Sequence, residues 1–222
     1  LRQHGYHLTN LTGSPGAITP AALDGIDILV LPDCELAFTA AEITAIQNFV
    51  SNGGALLAIG EWPPAFNYVS YNDLLSTYGI TFHSSNSSTQ DGTSFLASPV
   101  TAGVSLVDLS SCGDLETTHP ARVIGYTDDG YEFLAQYEGW NGNGNIVVLT
   151  DTAPFTNSRL PWGTSGTADD KTLLINTFRF LCLGPIHRVP DVLIVGAVSP
   201  YQAYLDDVKA KLDGTGYFDN VG

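Results

Sequence analysis

The sequence has no methionine, three cysteines and three lysines. Each shortage excludes something. Cys34, Cys112 and Cys182 are too few and too scattered for a small disulfide scaffold, they allow at most one bridge, and no CxxC spacing offers a zinc or thioredoxin-type redox site. Eight basic side chains against 23 acidic ones leave a formal net charge of −15. That is the wrong sign for a nucleic-acid or anionic-membrane partner, since both are bound through lysine and arginine. No apolar run approaches the roughly 20 residues of a membrane span, and the start lacks the charged-then-apolar order of a signal peptide. No membrane insertion is expected. A chain that opens on Leu1 without methionine reads as a fragment or a processed product whose beginning lies upstream.

What is present suffices for a core. The chain has 222 residues, 44% hydrophobic and 14% charged, which suits one large domain or one and a half small ones. Low lysine, an acidic surface and the N-x-S/T sequons at Asn10 and Asn86, both candidate glycosylation sites, point to an extracellular or cell-surface protein.

Residues 26–31 form a β-branched, nearly continuous apolar run that ends at Pro32 and Asp33, the pattern of a strand buried on both faces. Thr39 and Glu42 have capping-box spacing, and Ile43, Ile46, Phe49 and Val50 share one helical face until Gly53 and Gly54 stop the helix. Residues 55–59 form a second buried strand, so strand, helix, strand makes a parallel crossover unit. Upstream, residues 5–11 read as a turn and a short strand, with no full strand and helix to open the fold. Residues 70–78 read as a short helix and residues 84–93, polar and without period, as a loop. Strands are expected at 122–127, 131–137 and 145–150 with hairpin turns between them, then a helix at 169–181 with an apolar stripe. This gives an α/β, three-layer, flavodoxin-like parallel or mixed sheet with helices on both faces. The first domain spans 1–183 and lacks its opening strand; 184–190 reads as a linker. Residues 191–222 read as the opening strand, helix and strand of a second module, or as a segment that returns to its own chain or is donated to a neighbour.

Residues 25–33 and 49–60, with the strand and Asp of 144–155 and the closing helix of 170–181, resemble the class I glutamine amidotransferase-like superfamily. The resemblance is to its non-catalytic branch, which includes trehalose-utilisation-like, gliding-motility and intraflagellar-transport-type domains. Residues 191–222 resemble the start of a second tandem copy. Catalytic members of such a superfamily place a cysteine on a tight turn straight after the strand that here is 55–59. Here Gly60 is followed by Glu61, Trp62 and two prolines, and Asp151 has no histidine beside it. The resemblance therefore implies geometry without amidotransferase chemistry and no cofactor.

Asp33, Glu35, Glu61 and Asp151 all lie just past strand ends, the edge where open α/β sheets place ligands. If they converge, a cation such as calcium or a retained proton must relieve their repulsion; the alternative is that they cap helices and solvate the surface. Cys34 is a candidate displaced nucleophile or a buried small hydrophobe. His4, His7, His83, His119 and His187 have no ligand spacing. Trp62, Phe66, Tyr68 and Tyr71, with Tyr137 and Trp140, could stack on sugars or fill the former pocket. The expected function is a non-catalytic structural or interaction module of a secreted tandem-repeat protein, forming filaments head-to-tail with neighbouring copies and binding glycans in one variant. The alternatives are a glycan- or amide-acting hydrolase, or a carbohydrate-binding module, using the acidic and aromatic cluster.

Overall fold

The computed structural model describes residues 7–12, 15–63, 65–140, 142–155, 169–183 and 191–196. In chain order the elements are β1 (His7–Thr12), β2 (Ile28–Pro32), α1 (Ala40–Ser51), β3 (Ala55–Ile59), α2 (Tyr68–Leu75), β4 (Ile80–Ser88), β5 (Gly92–Phe95), β6 (Cys112–Thr117), β7 (Arg122–Thr127), β8 (Glu132–Tyr137), β9 (Ile146–Leu149), α3 (Asp170–Leu181) and β10 (Asp191–Gly196). The expected linker at 184–190, the helix expected from Ser199, and His4 and His187 lie outside the described residues.

Every residue of β2 and β3 is buried, as their unbroken apolar runs require. The two strands pair in parallel from Ile28 opposite Ala55 to Pro32 opposite Ile59. The helix between them begins as its spacing predicts: Glu42 N donates to Thr39 Oγ1 at 3.2 Å and Thr39 N donates back to Glu42 Oε2 at 2.9 Å. Glu42 also accepts from Ile18 N at 3.2 Å, so one carboxylate both caps α1 and holds the segment before β2. A 3-10 turn, Ser76–Tyr78, extends α2 to the length expected.

The main sheet has eight strands in the order β1-β10-β2-β3-β9-β8-β7-β5. Pairing is parallel from β1 to β9 and antiparallel from β9 to β5. Alternate side chains of the central strands feed separate cores. Ile28, Val30, Leu57, Ile59, Val147 and Leu149 join Leu173, Leu174, Phe178 and Leu181 of α3 on one face. Leu29, Leu31, Leu56, Ala58 and Val148 join Ile46 and Val50 of α1 and Tyr71, Leu74 and Leu75 of α2 on the other. This is the three-layer α/β architecture, with helices on both faces of a mostly parallel sheet.

One expectation fails. Residues 84–93 are not a loop: β4 runs through Ser88 and pairs antiparallel with β6 as a separate two-stranded ribbon, and β5 starts at Gly92 as the last strand of the main sheet. The far half of β4, Ser84 to Ser87, turns no side chain into a core, so its strand carries no apolar alternation to read.

β10 lies between β1 and β2 of its own chain. It pairs with all six residues of β1 and with Ile28, Leu29 and Val30 of β2. Val192, Leu193, Ile194 and Val195 are buried, each contributing roughly 1.5–3 kcal/mol of apolar burial. Asp27 fixes the entry: its N donates to Asp191 O and its Oδ2 accepts from Asp191 N, both at 2.7 Å. Among the described strands β1 touches the sheet only through β10.

Candidate functional site

The register of β2, β3 and β9 aligns their carboxyl ends. Pro32 lies opposite Ile59 and Ile59 opposite Leu149. Asp33 N donates to Ile59 O at 2.7 Å and Gly60 N to Leu149 O at 2.8 Å, so Asp33, Glu61 and Asp151 leave the sheet side by side. Asp33 turns with a φ of 35°, a left-handed conformation that aspartate tolerates better than most residues. Beneath the turn, the Tyr71 hydroxyl donates to Leu31 O at 3.0 Å and accepts from Cys34 N at 3.3 Å.

The four acids named from sequence act on one another. Burial raises the Asp33 carboxyl to about 7, reinforced by the charges of Glu35 and Asp151. Burial raises Glu61 to about 8, reinforced by Asp151 and Asp33, even though Thr152 Oγ1 donates to Glu61 Oε2 at 3.1 Å. Two carboxylic acids thus hold protons near neutral pH. Asp33 Oδ1 is buried without a hydrogen-bond partner. Among the described residues no three His, Cys, Asp or Glu side chains are disposed to share a metal ion.

Asp151 differs from its neighbours. It is fully buried, its Oδ2 accepts from Ser110 N at 2.5 Å and Ser111 N at 3.1 Å, and its Oδ1 accepts from Ala153 N at 2.7 Å. It is an anchor for a loop. The whole of that loop is held in the same way, a feature the sequence reading missed. Ser105 N and Leu106 N donate to Asp169 Oδ2, Asp108 N to Asp170 Oδ1 and Leu109 N to Asp91 Oδ1, while Val107 N donates to Gly92 O. Four aspartates from distant positions therefore satisfy six of seven consecutive backbone N–H groups. Asp170 is fully buried, its Oδ2 has no partner, and burial together with the charges of Asp108, Asp91 and Asp169 raises it to about 7. The only signal in sequence was an unexplained abundance of aspartate, which names no partner.

The turn after β3 is packed tightly at Gly60. A Cβ on Gly60 would lie 2.6 Å from the Phe82 ring and 2.9 Å from that of Phe66. Phe66, Tyr71 and Phe82 meet edge to face at 5.0–5.8 Å and fill the space above the turn. Cys34 is buried and its thiol is pushed up to about 12 by that burial, so almost none is thiolate at neutral pH. Cys112 is a buried core residue, Cys182 packs beside the same core, and none of the three cysteines is in a disulfide. His83 Nε2 lies 3.8 Å from Asp114 Oδ2, on the two-stranded ribbon.

The aromatic stretch divides. Phe66 and Tyr71 are interior, whereas Trp62 is 40% exposed and Val69 54%. Beside them an open cleft of about 400 Å³ is lined by Glu35, Ala65, Phe66, Asn67, Tyr68 and Val69. Tyr137 is buried, and Trp140 stands in solvent at the far end of the sheet.

Residues 1–161 match the sequence family described as a domain of unknown function, DUF4350. The chain belongs to that family. Among solved structures the DUF4350 chain is similar to the mmIFT52 N-terminal domain, at 21% identity and a TM-score of 0.64, over 77% of this chain and 83% of that one. It is also similar to the cytoplasmic protein STM3548 from Salmonella typhimurium, at 16% identity and a TM-score of 0.52, over 76% of each chain. A ThuA-like protein from Bacteroides uniformis follows at 11% identity and a TM-score of 0.48, over 74% and 72%. At these identities the likeness of the first two is one of fold, and the expected resemblance to an intraflagellar-transport-type domain is met at that level. No curated protein matches. Among the described residues no helix of the DUF4350 chain is long and apolar enough to cross a membrane.

Proposed function

We propose that this chain is a non-catalytic interaction module of the class I glutamine amidotransferase-like superfamily, one whose strand-end edge recognises rather than reacts. A single observation carries the reading: the turn that would present a nucleophile carries Glu61, and rings of Phe66 and Phe82 occupy the space over Gly60. The thiols of Cys34 and Cys112 are both pushed up to about 12 by burial and stay protonated. The module belongs, in this reading, to a secreted or cell-surface tandem-repeat protein that associates head-to-tail, with residues 191–196 pairing in this chain's own sheet. The acidic composition and the sequons support this. Asn10 is exposed on β1, and Asn86 keeps one amide hydrogen for its 2.9 Å bond to Asp114 if it carries a glycan. A calcium ion shared by Asp33, Glu35, Glu61 and Asp151 would compete at Asp151 with the backbone donors it accepts from.

A second reading is favoured by one observation. A carboxylic acid raised toward neutral pH by burial and a neighbouring carboxyl group is a feature of acid–base hydrolases, and Glu61, raised by burial and then by Asp151, shares it. The test separates the two. Wild-type protein, Asp33→Asn and Glu61→Gln are assayed against glycoside, amide and ester substrates. No turnover in any of them is the result expected; turnover in the wild type that Glu61→Gln abolishes, with the fold intact, overturns the interaction reading.

A further inference from the structure

The cleft at the strand-end edge combines three properties rarely found together on a protein with so little positive charge. Its floor and walls are polar and apolar in about equal measure, the apolar part supplied by Ala65, Phe66, Tyr68 and Val69. Among the described residues large apolar side chains stand exposed on or next in sequence to its lining: Leu36 at 44%, beside Glu35; Val69 at 54%; and Trp62 at 40%, whose carbonyl accepts from N of the lining residue Ala65 at 2.8 Å. Its field is negative, because Glu35 lines it and the charges acting on neighbouring Asp33 are those of Glu35 and Asp151. The loop carrying Asp33 and Glu35 is tied to the opposite wall, where Asn67 N donates to Cys34 O at 3.4 Å and Phe38 N to Ser70 Oγ at 2.6 Å. The cleft is therefore built on both sides by fixed backbone.

We propose that this cleft docks a basic, amphipathic segment of a partner protein, a lysine or arginine meeting Glu35 while its apolar neighbours cover Leu36, Trp62 and Val69. Charge complementarity selects that occupant. A second copy of this chain would bring another −15 to the same edge, and like-charge juxtaposition opposes it. A small free polyamine would satisfy the carboxylates and leave the three apolar side chains in water. A basic side chain on a peptide supplies both parts, and its cation can lie on the Trp62 indole. The inference rests on the recognition reading of this edge and goes beyond it by naming the partner's chemistry.

The test uses the full chain and three probes: a fluorescent peptide alternating leucine and lysine, the same peptide with glutamate for lysine, and spermidine as competitor. The lysine peptide should bind, weaken as salt rises, resist spermidine at equal charge, and be matched by no signal from the glutamate peptide. Glu35→Lys and Val69→Asp should each weaken it at least about tenfold, while Asp24→Lys, an exposed site with the same charge change as Glu35→Lys, should alter it by less than about twofold. Circular dichroism confirms that each variant is folded. Equal loss in Glu35→Lys and Asp24→Lys would show mere attraction to net charge and overturn the proposal. So would insensitivity to Val69→Asp, full displacement by spermidine, or a dimer in sedimentation that Val69→Asp dissolves. Any of those results without turnover sinks the docking proposal alone; turnover lost in Glu61→Gln sinks the interaction reading beneath it.

Discussion

Replacing Asp170 by asparagine should stabilise the protein at pH 8 and change it little near pH 4. Asp170 has no exposed surface, and its Oδ2 has no partner. Its carboxyl, 3.8 when unperturbed, is raised to about 7 by burial and then by the charges of Asp108, Asp91 and Asp169. A raised acid works against the folded state as pH climbs: below 3.8 both states are protonated, between 3.8 and about 7 only the unfolded state ionises, and above 7 the difference is constant. Each pH unit in that window costs about 1.4 kcal/mol, so from pH 5 to 7 Asp170 alone withdraws about 3 kcal/mol. Asparagine keeps an oxygen for Asp108 N, 3.0 Å away, and removes the titration. The assay is urea unfolding at half-unit steps from pH 4.5 to 8. The wild type should lose stability across the range, and Asp170→Asn should remove about one proton from the slope below pH 7. Groups held below their ordinary values, such as Asp129 and Asp169, are ionised in both states over this range and add no slope. An unchanged slope, or an asparagine variant less stable than wild type at pH 8, would refute the reasoning.

Asp151→Ala should strand the N–H groups of Ser110, Ser111 and Ala153. At about 1–3 kcal/mol for each buried group left unpaired, thermal unfolding should show a large drop, and hydrogen exchange should quicken at 110 and 111. Thr39→Ala removes half of the capping box on α1 and should cost about 1 kcal/mol in denaturant unfolding. Gly144→Ala would drive a Cβ into the carbonyl of Gly54, backbone against backbone, and should yield little folded protein on expression, whereas Gly130→Ala, with open space around it, should remain folded and lose only what its φ of 90° demands.

The central layers were legible because burial on both faces writes itself as continuous apolar sequence. The runs before Pro32 and at 55–59 needed no partner to be recognised, and Thr39 with Glu42 announced the helix between them. The ribbon of β4 and β6 was not legible: Ser84 to Ser87 faces no core, so strand and loop look alike in composition. At the site, strand-end position was enough to group Asp33, Glu35, Glu61 and Asp151, since parallel register aligns those ends. It could not separate Asp151, whose role depends on Ser110 and Ser111 some 40 positions earlier. Nor could it show that Phe82, on β4, reaches over Gly60. Contacts between such remote residues leave no periodic trace, and the loop from Ser105 to Ser111 is held wholly by contacts of that kind.

The seat of β10 has a bearing on how the chain reaches its native form. His7 pairs with Asp191, and among the described strands β1 meets the rest of the sheet only across β10. On a ribosome the residues of β1 emerge early and then find no hydrogen-bonding neighbour until synthesis has passed Gly196. The central strands β2, β3 and β9 can assemble meanwhile, but β2 keeps one bare edge. β1, made before the other described strands, is thus among the last of them to be seated, and its closure spans nearly all the described chain, the kind of distant pairing that slows folding and lengthens the time an open edge invites wrong partners.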